Sequence, residues 1–491
     1  MGSKDDARDE EGDESKKKTK DRDPPKERAV TTHHSATIGG EIVPYRATAG
    51  TLFLRDDDDE PTAEVFYVSY VRDGDPDPAT RPVTFAFNGG PGSSAVWLHL
   101  GTLGPRRVES ADAGPTPPPP NRLVDNAHSI LDVSDLVFID PVGTGWSRPL
   151  GDTDAKTFHS MKGDVKSVAE VIQRWTSRHG RWSSPRYLAG ESYGTLRAAS
   201  LAAHLTDNGM MVNGVALVSA ALMFQTLVFE TGNDLPYVLY LPGYAATAAY
   251  HHRLASPPAD RAAFLREVEA FAVEEYGPAL MLGAALPVER RDALADRLAE
   301  LTGIEAAIWR RQELRVDLST FCGELLREEG EIVGRLDARF RGIRAVHSDD
   351  PGENDPALFY PYGAYTSAIQ DYLRRELGFE EERRYEVLSF SVNEGWKWDD
   401  EDAKRMGFPN AAADLRRAMV HNPHLKVLFA TGIYDLATPY FASMHTARHL
   451  GREPRIRAHV REAFYDAGHM MYLHEPSRAQ LRDDLVALIT E

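Results

Sequence analysis

Five residues, Gly190-Glu191-Ser192-Tyr193-Gly194, constrain this chain of 491 residues more than any other feature. A short apolar run, Tyr187-Leu188-Ala189, leads into them, and an Ala- and Leu-rich stretch from Thr195 to Leu205 leads out. The pattern predicts a strand, a turn too tight to admit side chains beside the serine, and a helix. Such a turn lifts the Ser192 hydroxyl out at a helix N-terminus, where the positive end of the dipole favours developing negative charge. A lone G-x-S-x-G arises by chance in many chains. Its meaning rests on whether a base, an orienting acid and a second oxyanion donor follow.

With 42% hydrophobic residues at this length, the chain can bury a large core and hold one big domain plus an insertion. It contains no run of eighteen apolar residues, so no membrane-spanning helix is expected. Residues 1–30 form a charged tail with almost nothing apolar, expected to be disordered. The tail lacks the apolar stretch of a secretory signal, and Asp6 stands where a myristoylation signal needs Ser or Thr. Together with a single cysteine, Cys322, this points to a reducing, cytoplasmic setting. A net charge of −19 argues against nucleic acid or anionic membrane as partners. Nothing in the sequence decides between a monomer and a homo-oligomer.

Along the chain, Thr51–Arg55 and Glu64–Arg72 read as an antiparallel pair around an acidic turn, Asp56 to Glu60. Strands at Val83–Phe87, Asp135–Asp140, Tyr187–Ala189 and Val215–Val218 alternate with helical stretches such as Phe158–His179. That rhythm predicts a mostly parallel, doubly wound sheet occupying 31–222. From 223 to 390 strand signals give way to helices rich in Ala, Leu, Arg and Glu, read as a helical insertion or lid. The core resumes over 391–491, with strands at Lys426–Thr431 and Ile456–Val460 and helices at Phe441–Leu450 and Ser477–Ile489.

A serine nucleophile needs a base and an acid to orient it. Asp435 follows the strand Val427–Thr431 in Gly432-Ile433-Tyr434-Asp435, and His469 follows the next strand on the small-residue loop Asp466-Ala467-Gly468-His469. The order Ser192, Asp435, His469, each after a strand, is that of the α/β-hydrolase fold. Taken singly, Asp435 is as easily a turn former, and His469 is one of 17 histidines; the conjunction selects them. The backbone N–H of Tyr193 supplies one oxyanion donor, and the glycine loop Asn88-Gly89-Gly90-Pro91-Gly92 supplies the other.

These segments resemble the serine carboxypeptidases. The matching pieces are Asn88 to Ser94, Leu103-Gly104-Pro105, Asp140-Pro141-Val142-Gly143-Thr144-Gly145-Trp146-Ser147, Gly190 to Gly194, Gly432 to Asp435 and Ala467 to Met470. The resemblance implies an α/β-hydrolase that removes single residues from peptide C-termini, without metal or cofactor. It implies Gly90 and Tyr193 as oxyanion donors, and Asn88 and protonated Glu191 as ligands of the substrate carboxylate. Three departures stand out, as in a bacterial-type member without disulfides. The family's disulfide framework is missing, with Ser93 in place of a cysteine, and the secretion signal is absent. The family's glutamate before Leu-Gly-Pro is Thr102. In the family that glutamate pairs with the one preceding the serine, so here the raising of the Glu191 pKa by a like charge is lost and burial is left to raise it; a less acid-shifted optimum, or a weakened demand for a free C-terminus, is expected. An esterase or acyltransferase using the same triad, and a non-catalytic binding protein on the same scaffold, are the alternatives. Trp396 and Trp398 line a pocket or pack in the core. Cys322 reads as a buried small hydrophobe, and His33-His34 and His251-His252 lack metal-like spacing.

Overall fold

The computed structural model describes residues 26–74, 76–345, 354–398 and 407–491. Residues 1–25 of the expected tail lie outside the described residues, and its last two residues, Ala29 and Val30, already open a strand. The strands in chain order are β1 (Ala29–Ile38), β2 (Glu41–Arg55), β3 (Pro61–Arg72), β4 (Val83–Phe87), β5 (Arg106–Val108), β6 (Leu123–Asp125), β7 (Asp135–Ile139) and β8 (Arg148–Pro149). They continue as β9 (Arg186–Glu191), β10 (Gly214–Val218), β11 (Glu331–Val333), β12 (Arg341–Ile343), β13 (Lys426–Gly432) and β14 (Val460–Tyr465).

A 10-stranded sheet dominates, in the order β1-β2-β3-β7-β4-β9-β10-β13-β14, with β8 paired to β3. From β7 to β14 every neighbour is parallel, whereas β1, β2 and β3 form an antiparallel flank. The parallel strands are covered on both faces, which is why β4, β7 and β10 are apolar almost without interruption and wholly buried. Alternation then sorts β3. Val65 and Tyr67 face a core shared with the helices Met161–Arg178 and Tyr193–Asp207, while Phe66, Val68 and Tyr70 face one shared with Pro356–Asp371 and Glu475–Thr490.

The structure corrects the sequence reading in several places. β1 was missing from it, because the strand alternates Thr, His and Ser with small residues and carries little apolar signal. The expected strand Ile456–Val460 is instead a helical turn, Pro454–Arg457, followed by β14. Pro454 takes the first helical position, where its missing N–H costs nothing. Residues 223–390 are mainly helical but do not form one separate unit. Helices Leu235–Tyr250, Arg261–Phe271 and Val288–Thr302 build a third hydrophobic cluster of their own. The helix Pro356–Asp371 instead packs Ala357, Ala364, Tyr365 and Ile369 into the main sheet's core. Between them, β11 and β12 form an antiparallel hairpin that the helical pattern hid. Glu386 and Leu388, before the expected boundary at 391, already bridge to Gly145 and Ser93.

The parallel strands bring their C-terminal ends to one edge, so the loops after β4, β9, β13 and β14 converge there.

Candidate active site

Ser192 follows directly on β9 with φ 60 and ψ −129, a conformation rarely adopted by a residue with a side chain. It occupies the position that caps the helix Tyr193–Asp207, yet its hydroxyl makes no capping bond and stays available for chemistry. Its backbone is pinned: Ser192 N donates to Val218 O at 3.0 Å, and Thr195 Oγ1 donates to Ser192 O at 2.6 Å. A Cβ on Gly190 would fall 2.1 Å from Gly194 O, which explains why glycine precedes the bend. The loop after β4 lies against this turn so closely that a Cβ on Gly89 would fall 2.5 Å from Tyr193 N. The N–H groups of Gly90 and Tyr193 thereby belong to two touching turns.

Beneath them Arg197 and Asp164 form a buried ion pair at 2.8 Å. Arg197 Nη1 donates to the Asn88 carbonyl at 2.5 Å and the Tyr193 hydroxyl donates to Asp164 Oδ2 at 3.2 Å, so one charged pair braces both turns.

Asp435 follows β13 and is fully buried. Its Oδ1 accepts from the backbone N–H of Ala437 at 2.8 Å and of Thr438 at 2.9 Å. Its Oδ2 accepts from Thr438 Oγ1 at 2.7 Å and pairs with His469 Nδ1 at 2.7 Å. Burial on its own would depress the His469 imidazole, but the Asp435 carboxylate outweighs it and holds the pKa above the usual range. That arrangement suits a base that must accept a proton from serine.

Ser192 and His469 line one cavity of about 260 Å³, together with Asn88, Gly90 and Glu191. Glu191 is buried, and burial pushes its carboxyl up to about 7 despite hydrogen bonds that favour the charged form. Tyr472 donates to its two oxygens at 3.0 and 3.2 Å. Asn88 also hydrogen-bonds it; Asn88 Oδ1 accepts from Leu98 N at 3.0 Å, which leaves the amide donors for Glu191. Thr102 is buried and its hydroxyl has no partner.

Residues 41–221 match the family model described as serine carboxypeptidase. That segment, which carries the Gly89–Gly92 loop and the Ser192 turn, is similar to the serine carboxypeptidases. Serine carboxypeptidase-like 12 of Arabidopsis thaliana is 30% identical over 156 residues, covering 31% of this chain and 33% of that protein. Serine carboxypeptidase-like 13 of the same plant is 26% identical over 199 residues, or 38% of this chain and 43% of the relative. The chain thus aligns with between a third and a half of the length of these curated relatives. Over its whole fold it is similar to the crystal structure of a prohormone-processing carboxypeptidase from Saccharomyces cerevisiae. That match has a TM-score of 0.56 at 14% identity and covers 90% of this chain and 91% of the other. The likeness establishes the α/β-hydrolase fold.

Several residues at the site escaped the sequence reading. Tyr472 lies three positions past His469 on the short turn Met471–Leu473, close enough for its spacing to have flagged it. Thr438 is likewise three residues past Asp435. The link between β11 and β12 carried no signal at all. Here Arg335 O accepts from Leu436 N at 3.0 Å, Leu336 O from His469 N at 2.6 Å, and Asp337 Oδ2 from Gly468 N at 2.9 Å. This link ties the Asp435 and His469 loops to one another. Trp396 does not line the cavity; it and Trp398 pack edge-on against Tyr193, at the start of the helix Tyr193–Asp207. Cys322 is buried, and burial raises its thiol well above the ordinary range. Among the described residues no group of three or more His, Cys, Asp or Glu is placed to hold a metal ion, and no helix is long and apolar enough to cross a membrane.

The displaced Glu191 has a measurable consequence for stability. Its folded pKa of about 7 lies above the ordinary value of 4.5, so the folded state keeps a proton that the unfolded chain gives away. The contribution is full below about pH 4.5 and is lost as pH rises through 7, a decline of roughly 3 kcal/mol. Glu191→Gln removes this decline. The variant is expected to melt above the wild type at about pH 8 and level with it near pH 4.5. Parallel melting curves across that range would contradict the assignment.

Proposed function

We propose that the protein is a serine-type carboxypeptidase that releases C-terminal residues from peptides through an acyl-enzyme. In this reading Ser192 Oγ attacks the scissile carbonyl while His469 Nε2 takes its proton. Asp435 fixes the Nδ1–H tautomer and stabilises the imidazolium. The oxyanion is met by the N–H groups of Gly90 and Tyr193. His469 then gives its proton to the leaving amine, and water repeats the sequence to free the acyl group.

The observation that carries the choice of a free C-terminus is Glu191, a buried carboxyl in the cavity of the nucleophile, held protonated up to about pH 7. Protonated, it donates to a carboxylate; ionised, it repels one. With Thr102 replacing a second carboxyl, burial sets this value without a paired acid.

An esterase or acyltransferase reading draws on the same triad and is favoured by the largely apolar wall formed by Trp97, Leu336, Leu358 and Phe390. Rates on a blocked dipeptide, its C-terminal amide and a small neutral ester separate the two. The carboxypeptidase reading expects the free acid to exceed the amide by at least about 100-fold below pH 7, an advantage that shrinks as pH passes 7. Equal rates on acid and amide, or turnover of the ester alone, would favour the second reading.

A further inference from the structure

Among the described residues, the wall of the catalytic cavity carries one ionisable side chain apart from Glu191 and His469, namely Arg335. It sits on the link between β11 and β12, whose backbone bonds to Leu436 and His469 fix it relative to both catalytic loops. A group held by this guanidinium is therefore registered against Ser192. Among the described residues the guanidinium has no hydrogen bond and no ion pair within 4 Å.

The anions within its field are already engaged. Asp355 is buried and accepts from Leu336 N at 2.9 Å and Ala357 N at 3.0 Å. Asp435 serves Ala437, Thr438 and His469. Burial raises the Asp355 carboxyl and the nearby Arg335 charge opposes that rise, so Asp355 is the buried anion that feels Arg335 most. Asp355 balances part of this charge at a distance but takes no hydrogen bond from the guanidinium, and a substrate carboxylate would supply the missing two-pronged contact.

We propose that Arg335 binds a substrate carboxylate in the catalytic cavity, either the free C-terminus or an acidic side chain next to the scissile bond. The inference rests on the hydrolase reading above and deepens it: the preferred substrates carry a negative charge within a residue of the cleaved bond. Arginine does not titrate in the working range, so this preference persists where a protonated Glu191 no longer contributes.

Calorimetric binding at about pH 8 tests it without turnover, so its outcome is independent of whether peptides or esters are cleaved. The first pair of probes is N-acetyl-phenylalanine and its amide, which reports on the terminal carboxylate. The second pair is N-acetyl-glutamate amide and N-acetyl-glutamine amide, which reports on the side chain. In one pair the acid is expected to bind at least about tenfold more tightly than its neutral partner. Arg335→Gln should bring that ratio to about one, and Arg335→Lys should leave an intermediate value. A wild type that binds neither acid in preference to its neutral partner overturns the proposal, even if the Gln variant does not fold. So does an unchanged ratio in Arg335→Gln.

Discussion

Replacing Ser192 by alanine is expected to lower kcat by about a million-fold on peptide and ester alike, while leaving the melting temperature within about 2 °C of wild type. The loss is this large because the hydroxyl oxygen is the protein atom that bonds to the substrate carbon in the first step. The fold survives because that hydroxyl supports nothing: it makes no capping bond to the helix it precedes. The strained backbone at φ 60 suits alanine no worse than serine, and the bonds from Ser192 N to Val218 O and from Thr195 to Ser192 O involve main-chain atoms. Fluorophosphonate labelling should vanish with activity. Retained labelling, or a loss below about tenfold, would place the nucleophile elsewhere.

Asp435→Asn should cost about 10⁴-fold in kcat/KM, for a reason the hydrogen bonds make specific. Oδ1 of Asp435 accepts from two backbone N–H groups, of Ala437 and Thr438. In asparagine the carbonyl oxygen has to stay on that side. The amide nitrogen then faces His469 Nδ1 and Thr438 Oγ1, where Oδ2 now accepts. His469 must present a bare Nδ1 to the new donor, which moves its proton to Nε2. A protonated Nε2 cannot take the proton of Ser192. Single-turnover acylation with a neutral ester between about pH 6 and 10 measures this directly. A fall of less than about tenfold would mean that Asp435 merely caps its own loop.

The positions of Ser192, Asp435 and His469 around one cavity were legible because each follows a parallel strand, and the period of apolar residues marks those strands. Ser192, Asp435 and His469 could be chosen from many serines, aspartates and histidines on order alone. What the sequence hid is held by long-range contacts. Asp337 lies 131 residues before the Gly468 N–H that it accepts, and no local pattern announces a side chain whose partner is so distant. Arg335 looks like any surface arginine until the hairpin carries it into the cavity. The Arg197–Asp164 pair, buried under the oxyanion turns, sits on two amphipathic helices where charge ordinarily signals a solvated face. The hairpin itself was lost because three-residue strands are too short for alternation to show.

The raised Glu191 marks the division between the two kinds of information. The residue type and its place beside the serine were readable, and so was Thr102 where a second acid was expected. How far burial raises the carboxyl depends on the packed fold, which also sets the opposing hydrogen bonds of Tyr472 and of Asn88, whose own amide is oriented by Leu98.

Digestion of a defined peptide library near pH 6, read by mass spectrometry, tests the central claim most directly. The account predicts product ladders shorter than their parents by single C-terminal residues, absent for peptides with amidated C-termini and absent with Ser192→Ala. Internal cleavage products, or equal trimming of amidated peptides, would contradict it.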